Sequence, residues 1–150
     1  MIKKFEYYVE KNMVKKGIRD ISLAKSLIKK AEARLERIKT EEISEAKSAL
    51  IFEDAYEAVR EAAQSLMQVM QYKPYSHEAV VAFVKDNKYL DENNSNKFNN
   101  YRILRNKSVY LAENISEEKS KEAVEFAKDI VPKMKAKLFE MLKYDTRKNK

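Results

Sequence analysis

The side chains best suited to binding chemistry lie together in one ten-residue segment, YRILRNKSVY. Within it Arg102, Asn106 and Tyr110 are four residues apart, so a helix places them on one face. Arg102, Arg105 and Lys107 are candidate ligands for phosphate, because cations attract it and a guanidinium can grip it with two parallel hydrogen bonds. Asn106 can read a base edge or order a water, and Tyr110 can stack on a base. The segment therefore predicts a phosphate-and-base surface.

A structural role fits the same residues. In this alternative Tyr110 packs on the protein core, while Arg102 and Arg105 form ion pairs with acidic neighbours. His77, the single histidine, falls near a predicted helix start, where a positive charge is unfavourable. We interpret it as a neutral surface or capping residue.

Several kinds of catalytic site are excluded by composition. The chain has no cysteine, which rules out disulfides, thiolate metal sites and a cysteine nucleophile. With a single histidine and no Glu-x-x-His pair, we expect no metal site. A single glycine cannot build a phosphate-binding loop. We therefore expect neither a metal nor a cofactor.

An all-α fold is predicted by the composition of the 150 residues, which include one Gly and two Pro. Gly and Pro are common in turns and destabilise helix interiors, whereas the abundant Lys, Glu, Ala and Leu are good helix formers. We predict one domain over residues 1–150, a bundle of four main helices and a shorter one. A basic, frayed tail is expected at 144–150.

Apolar spacing and capping residues give approximate helix bounds. A seven-residue repeat predicts a first helical region from about Lys3 to Lys39, which Gly17 either divides or only weakens. Thr40 is a predicted N-cap for a second helix that runs to about Gln71, before Pro74. Its stripe of small residues lets another helix approach closely, in this chain or in a second subunit.

The second half of the chain is predicted to hold three helices. Ser76 caps a short helix from His77 to about Lys88. The asparagine-rich residues 91–100 are predicted to be a loop plus a helix start, followed by a helix at about 97–112. Ser116, with acidic residues behind it, begins the last helix, which Pro132 is expected to kink. The predicted apolar stripe of this helix is Ala123, Ala127, Ile130, Met134, Leu138 and Met141.

Charge is unevenly distributed along the chain. The formal net charge of +7 divides into +7 for residues 1–39, −5 for residues 40–100 and +5 for residues 101–150. Basic surfaces attract nucleic acid, although a helical surface rich in Lys–Glu pairs has a similar composition. No apolar run is long enough for a membrane span, and the first residues lack a signal peptide's apolar core. We expect a cytoplasmic protein.

Three segments together resemble the HEPN family (higher eukaryotes and prokaryotes nucleotide-binding). They are AYEAVREAAQSL at 55–66, KPYSHEAV at 73–80 and LRNKSVY at 104–110. Their order and spacing resemble the family over roughly residues 17–140. The resemblance implies an up-and-down helical bundle that is usually dimeric. It also implies metal-independent ribonuclease activity in the catalytic members, many of which are toxins partnered by a nucleotidyltransferase-type antitoxin.

The family's catalytic motif is an arginine, often followed by asparagine, with a histidine a few residues later. Arg105 matches that arginine and Asn106 the asparagine, but Tyr110 occupies the position of the histidine. A phenol, with an unperturbed pKa of about 10, is a poor base at neutral pH. The resemblance therefore implies that the phosphate-binding half of the site is present and that cleavage is weak or absent.

Three hypotheses follow. The first is a homodimeric RNA- or nucleotide-associated subunit, of toxin–antitoxin type, that is partnered by a nucleotidyltransferase and is not an efficient enzyme. The second is an active metal-independent endoribonuclease toxin in which Tyr110 or Lys107 substitutes for the histidine. The third is a non-catalytic structural or adaptor bundle.

Overall fold

The computed structural model describes residues 2–148, with side chains up to residue 144. In this range the chain forms six helices and one two-stranded antiparallel sheet. In chain order the elements are α1 (Phe5–Glu10), β1 (Val14–Lys16), α2 (Ile21–Lys39), α3 (Ser48–Val69), β2 (Tyr72–Pro74), α4 (His77–Asp86), α5 (Glu92–Leu111) and α6 (Glu117–Lys148). The predicted all-α bundle is therefore confirmed, with a small sheet added.

Helix α3 is the centre of the bundle. Fifteen of its 22 residues are buried, because it contacts α2, α4, α5, α6 and β2. Large side chains such as Phe52 and Leu66 fill the core, each contributing about 1.5–3 kcal/mol by burial. The small stripe is buried as well, from Ala55 through Ala58 and Ala62 to Ser65. Within residues 2–148, none of the helices combines the length and the apolar character that a membrane crossing requires.

The predicted first helical region is divided into two helices, as in the alternative in which Gly17 divides it, and the predicted helix is wrong for residues 11–20. Helix α1 ends at Glu10, and the chain then forms β1 before α2 begins at Ile21. The pairing of β1 with β2 explains the difference, because Val14 lies opposite Pro74 and is buried there. A contact between segments 60 residues apart thus outweighs a local repeat. From Ala24 onward the repeat is correct, since Ala24, Ile28, Ala31, Leu35 and Ile38 are all buried.

Thr40 is not an N-cap. It is the residue after α2, and its hydroxyl donates to the carbonyl of Arg37. Helix α3 begins later, at Ser48, whose hydroxyl donates to the carbonyl of Ile115 across the bundle. Its end at Val69 agrees with the prediction to within two residues, but Pro74 lies in β2 rather than at the helix end.

The asparagine-rich stretch is helical, which corrects the predicted loop. Helix α5 begins at Glu92 because the Asp91 side chain caps it, accepting a hydrogen bond from the backbone N–H of Asn94 at 2.7 Å. The predicted caps of α4 and α6 are confirmed: Ser76 accepts from Ala79 N–H at 3.4 Å, and Ser116 accepts from Lys119 N–H at 3.0 Å.

Helix α6 is longer than predicted. It passes through Pro132 and continues to Lys148, so the predicted tail at 144–150 begins inside a helix. Residues 149 and 150 lie outside the described range. Its core stripe is as predicted, with Ala123, Ala127, Ile130, Met134 and Leu138 buried.

Candidate functional site

Helix α5 carries the predicted site residues, and Arg102 and Arg105 lie on the side that faces α3 and α4. Tyr101 and Ser108 point into the bundle and are buried, which fixes the rotation of the helix. Arg102 and Arg105 are consequently half-buried beside them, with side-chain exposures of 15% and 19%. An arginine held at such a boundary keeps its charge while losing much of its water.

Arg105 meets a carboxylate from α3. Its Nε lies 3.5 Å from Oε1 of Glu57, an ion pair without hydrogen-bond geometry, and both atoms are buried and lack a hydrogen bond. The other carboxylate oxygen, Oε2, accepts hydrogen bonds from Nε and Nη2 of Arg60, the Nε bond at 2.9 Å. Glu57 is thus shared by two arginines, and Arg60 has the better geometry.

Arg102 meets a carboxylate from α4. Its Nη2 lies 3.9 Å from Oε1 of Glu78, at the long end of an ion pair, while its Nε donates to Oδ1 of Asn99 at 3.0 Å. Both arginines therefore pair with acidic side chains, as the structural alternative predicted. Its expectation for Tyr110 is wrong, because that side chain is 73% exposed.

The other predicted residues divide into two groups. Asn106 lies beside Arg105 and accepts a hydrogen bond from its Nη1 at 3.3 Å. The ring of Tyr110 lies 5.9 Å from the guanidinium carbon of Arg105, within range of a cation–π interaction. Lys107 is exposed and, two residues from Arg105 on a helix, projects from the opposite side of α5. The structure therefore does not bring Lys107 into the site.

His77 belongs to the same site, which corrects its interpretation as a surface or capping residue. It is the first residue of α4, whose cap is Ser76, and its Nδ1 lies 3.1 Å from the hydroxyl of Tyr56. Burial, together with the positive charges of Arg60 and Arg105, lowers the pKa of His77 to about 4 against the opposing effect of Glu57. The imidazole is therefore neutral at neutral pH.

The same surroundings shift the pKa values of two residues on α3. Burial raises the pKa of Tyr56 well above its ordinary value, so its hydroxyl keeps its proton. Burial alone would raise the pKa of Glu57, but hydrogen bonds from Arg60 and the nearby charge of Arg105 hold it below the ordinary value. Glu57 is therefore ionised at neutral pH.

We call this group the arginine cluster. It consists of three arginines, two carboxylates and the imidazole, drawn from three helices: Arg60, Arg102, Arg105, Glu57, Glu78 and His77. Because the imidazole is neutral, the three positive charges of the arginines exceed the two negative charges of the carboxylates by one. A half-buried, positively charged cluster with imperfect internal pairs is suited to an anion, which can complete the hydrogen bonding of the guanidinium groups.

A surface cavity of about 500 Å³ adjoins Glu57 on its other side. Its lining includes four carboxylates and two arginines: Glu41, Glu53, Asp54, Glu57, Arg34 and Arg37. Both arginines are already bound to Asp54, at 2.9 Å and 2.5 Å. The excess of carboxylates disfavours a phosphate there, whereas the surroundings of Arg102 and Arg105 are richer in positive charge.

Five members of the site were not predicted from the sequence as functional residues: Tyr56, Glu57, Arg60, His77 and Glu78. A signal for two of them exists, because Glu57 and Arg60 are charged residues three apart on a helix that is otherwise almost entirely buried. Tyr56 and His77 have no such signal, since their contact joins positions 21 residues apart.

No group of three or more His, Asp or Glu side chains suitable for a metal ion occurs among the described residues. Comparisons of the chain with family models, with curated proteins and with solved structures found no match.

Proposed function

We propose that this chain is a HEPN-like subunit that binds RNA or a nucleotide by its phosphate through Arg105 and Arg102, with RNA cleavage weak or absent. The observation that carries the proposal is the arginine cluster, in which three arginines face two carboxylates and a neutral imidazole. A ligand phosphate would replace Glu57 as the partner of Arg105, and Asn106 orients that guanidinium. Tyr110, exposed beside Arg105, is available to stack on a base.

We expect weak cleavage because the site offers no good base at neutral pH. A phenol is a poor base at neutral pH, and Tyr110 stands where the resemblance puts a histidine. The buried hydroxyl of Tyr56 keeps its proton and has Nδ1 of His77 as its hydrogen-bond partner. With Tyr56 as the donor to Nδ1, the imidazole proton lies on Nε2, which makes His77 a neutral donor to a phosphate or carbonyl oxygen rather than a base.

The homodimer in this proposal is supported by α5, which has apolar side chains on its outer face as well as its inner face. Val109, Tyr110 and Leu111 are exposed near its end, and Leu50 is exposed at the start of α3 nearby. Ser48 of α3 reaches the chain just after α5 and so holds these two helix ends together. An exposed apolar patch beside an anion site suits a second copy or a protein partner, for which we propose a nucleotidyltransferase.

The test is binding of a fluorescein-labelled single-stranded RNA, followed by anisotropy, to wild type, Arg105→Ala and Arg105→Lys. We expect Arg105→Ala to weaken binding about tenfold or more, since hydrogen bonds to charged groups contribute about 1.5–3 kcal/mol. Arg105→Lys should recover only part of this, because lysine keeps the charge but not the bidentate geometry. The matched control is Arg37→Ala, because Arg37 is an exposed arginine outside the cluster. Equal losses for Arg37→Ala and Arg105→Ala would contradict the proposal.

A second candidate function is active metal-independent RNA cleavage, which the presence of His77 in the cluster favours. The same RNA is incubated in EDTA with wild type, His77→Gln, Arg105→Ala and Tyr110→His. Cleavage by wild type that both Arg105→Ala and His77→Gln abolish would establish this alternative. Cleavage by Tyr110→His alone would support the main proposal, because it shows a phosphate site that lacks only the base.

A further inference from the structure

The small sheet places two lysines directly opposite each other. Lys15 of β1 pairs with Lys73 of β2 in the antiparallel register, and both are exposed. Side chains opposite each other in such a pair point to the same face with their Cβ atoms about 5 Å apart, and like charges there are destabilising. The neighbours in the register, Val14 and Tyr72, point to the other face and attach the sheet to the core.

The charge of these two lysines is uncompensated by any ion pair among the described residues. Many exposed lysines elsewhere form ion pairs along their own helix, as Lys128 does with Glu125 at 2.9 Å and Lys133 with Asp129 at 3.0 Å. In the part of the chain that the structure describes, Lys15 and Lys73 have no such partner. The sheet therefore presents a positive charge that the fold itself does not use.

This charged sheet leads directly into the arginine cluster. Tyr75 follows β2, is 62% exposed and is held by a hydrogen bond from its N–H to the carbonyl of Met13 at 2.8 Å. His77 comes two residues later as the first residue of α4. Lys73 and His77 are four residues apart, so their Cα atoms lie within about 14 Å. Basic side chains and an exposed aromatic ring thus continue from the cluster onto the sheet.

We infer that the sheet is a second binding site for the same RNA strand, in which Lys15 and Lys73 contact backbone phosphates and Tyr75 stacks on a base. The inference rests on the proposed RNA-binding function of the arginine cluster and extends it to several nucleotides. An exposed tyrosine between cationic groups favours a single strand over an acidic peptide, because unstacked bases bind aromatic rings and phosphates bind the cations. Lysines on strands also discourage pairing with other chains, but that role needs no tyrosine beside them.

The test measures the salt dependence of RNA affinity for two lengths of oligoribonucleotide, about three and about ten nucleotides. Each single-strand phosphate contact contributes about 0.7 to the slope of log affinity against log salt concentration. For the double variant Lys15→Gln, Lys73→Gln we expect this slope to fall by about 1.4 with the longer RNA and to stay unchanged with the shorter one. Tyr75→Ser should weaken binding of the longer RNA about tenfold.

The control is the double variant Lys128→Gln, Lys133→Gln, which removes the same charge from α6. An unchanged slope for the sheet variant, or an equal loss for the α6 variant, would overturn the inference. Arg105→Ala separates the two proposals. If it weakens binding of the short RNA while the sheet variant has no effect on the long one, only the sheet site is wrong. If it leaves the short RNA unaffected, the arginine cluster is not the RNA site.

Discussion

The pairing of Arg105 with Glu57 is the feature on which the site depends. The two side chains attract each other at 3.5 Å, yet Arg105 Nε and Glu57 Oε1 are both buried without a hydrogen bond. A buried polar atom in this state costs about 1–3 kcal/mol relative to one that is satisfied. An anion at Arg105 would recover part of that energy, while Arg60 would continue to satisfy Glu57 through its other oxygen.

At the residue scale, His77 makes the free energy of unfolding depend on pH. Its pKa falls from 6.5 to about 4 on folding, so between these values the unfolded chain binds more protons than the folded one. Folding stability is therefore complete above about pH 6.5 and decreases as the pH falls towards 4. We expect wild type to lose stability between pH 7 and pH 5, and His77→Gln to lose clearly less, by denaturant unfolding at both values. An equal loss in both proteins would show that His77 is not responsible.

The elements around the site are held in place by local capping and by one central helix. Helix α3 supplies Glu57 and Arg60, and it cannot rotate because its residues are buried against several neighbours. Helix α5 brings Arg102 and Arg105 to it, anchored by Phe98 and Tyr101 in the core. The positions of the arginines therefore depend on where α5 begins and how firmly it is packed.

At the element scale, the Asp91 cap should contribute measurably to stability. Its carboxylate accepts a hydrogen bond from Asn94 N–H at 2.7 Å, and such caps are worth about 1 kcal/mol. We expect Asp91→Ala to lower the free energy of unfolding by that amount. Asn93→Ala, an exposed substitution inside the same helix, should change it by less than about 0.5 kcal/mol. Equal stability of the two variants would show that the Asp91 cap does not stabilise the start of α5.

The whole molecule combines a packed core with one face that the chain leaves uncovered. The core extends from Phe5 to Leu138 without a break between separate parts. On the outside, Leu50 and Leu111 are each about two-thirds exposed, and the ring of Tyr110 is exposed as well. Coverage of this patch by a second copy would bring two arginine clusters near each other, as the proposed dimer requires.

At the scale of the assembly, Leu111→Glu should disrupt the proposed homodimer. A charge buried at the centre of an apolar contact is strongly unfavourable, so we expect the dissociation constant to rise at least tenfold in sedimentation equilibrium. The control is Ile18→Glu, because Ile18 is 91% exposed on another part of the surface. This variant should leave the dissociation constant unchanged. A wild type that is monomeric at high concentration would contradict the dimer directly.

Local signals in the sequence predicted most of the bundle and part of the site. The caps Ser76 and Ser116 and the buried stripes of α3 and α6 agree with the structure, because each depends on residues within one or two helical turns. Two of the errors lie at Val14 and at Asp91. At Val14 a distant strand determined the structure, and at Asp91 a capping aspartate outweighed the loop preference of the asparagines that follow.

By itself the sequence determined the helical fold class, the absence of cysteine chemistry and the grouping of Arg102, Arg105, Asn106 and Tyr110 on one helix. These follow from composition and from spacing along a single helix. Only the three-dimensional structure shows which side chains surround Arg105, that His77 lies against Tyr56, and that Lys15 faces Lys73. The reason is physical: those contacts join residues far apart in the chain, and their charges and pKa values depend on burial, which exists only once the helices have packed together.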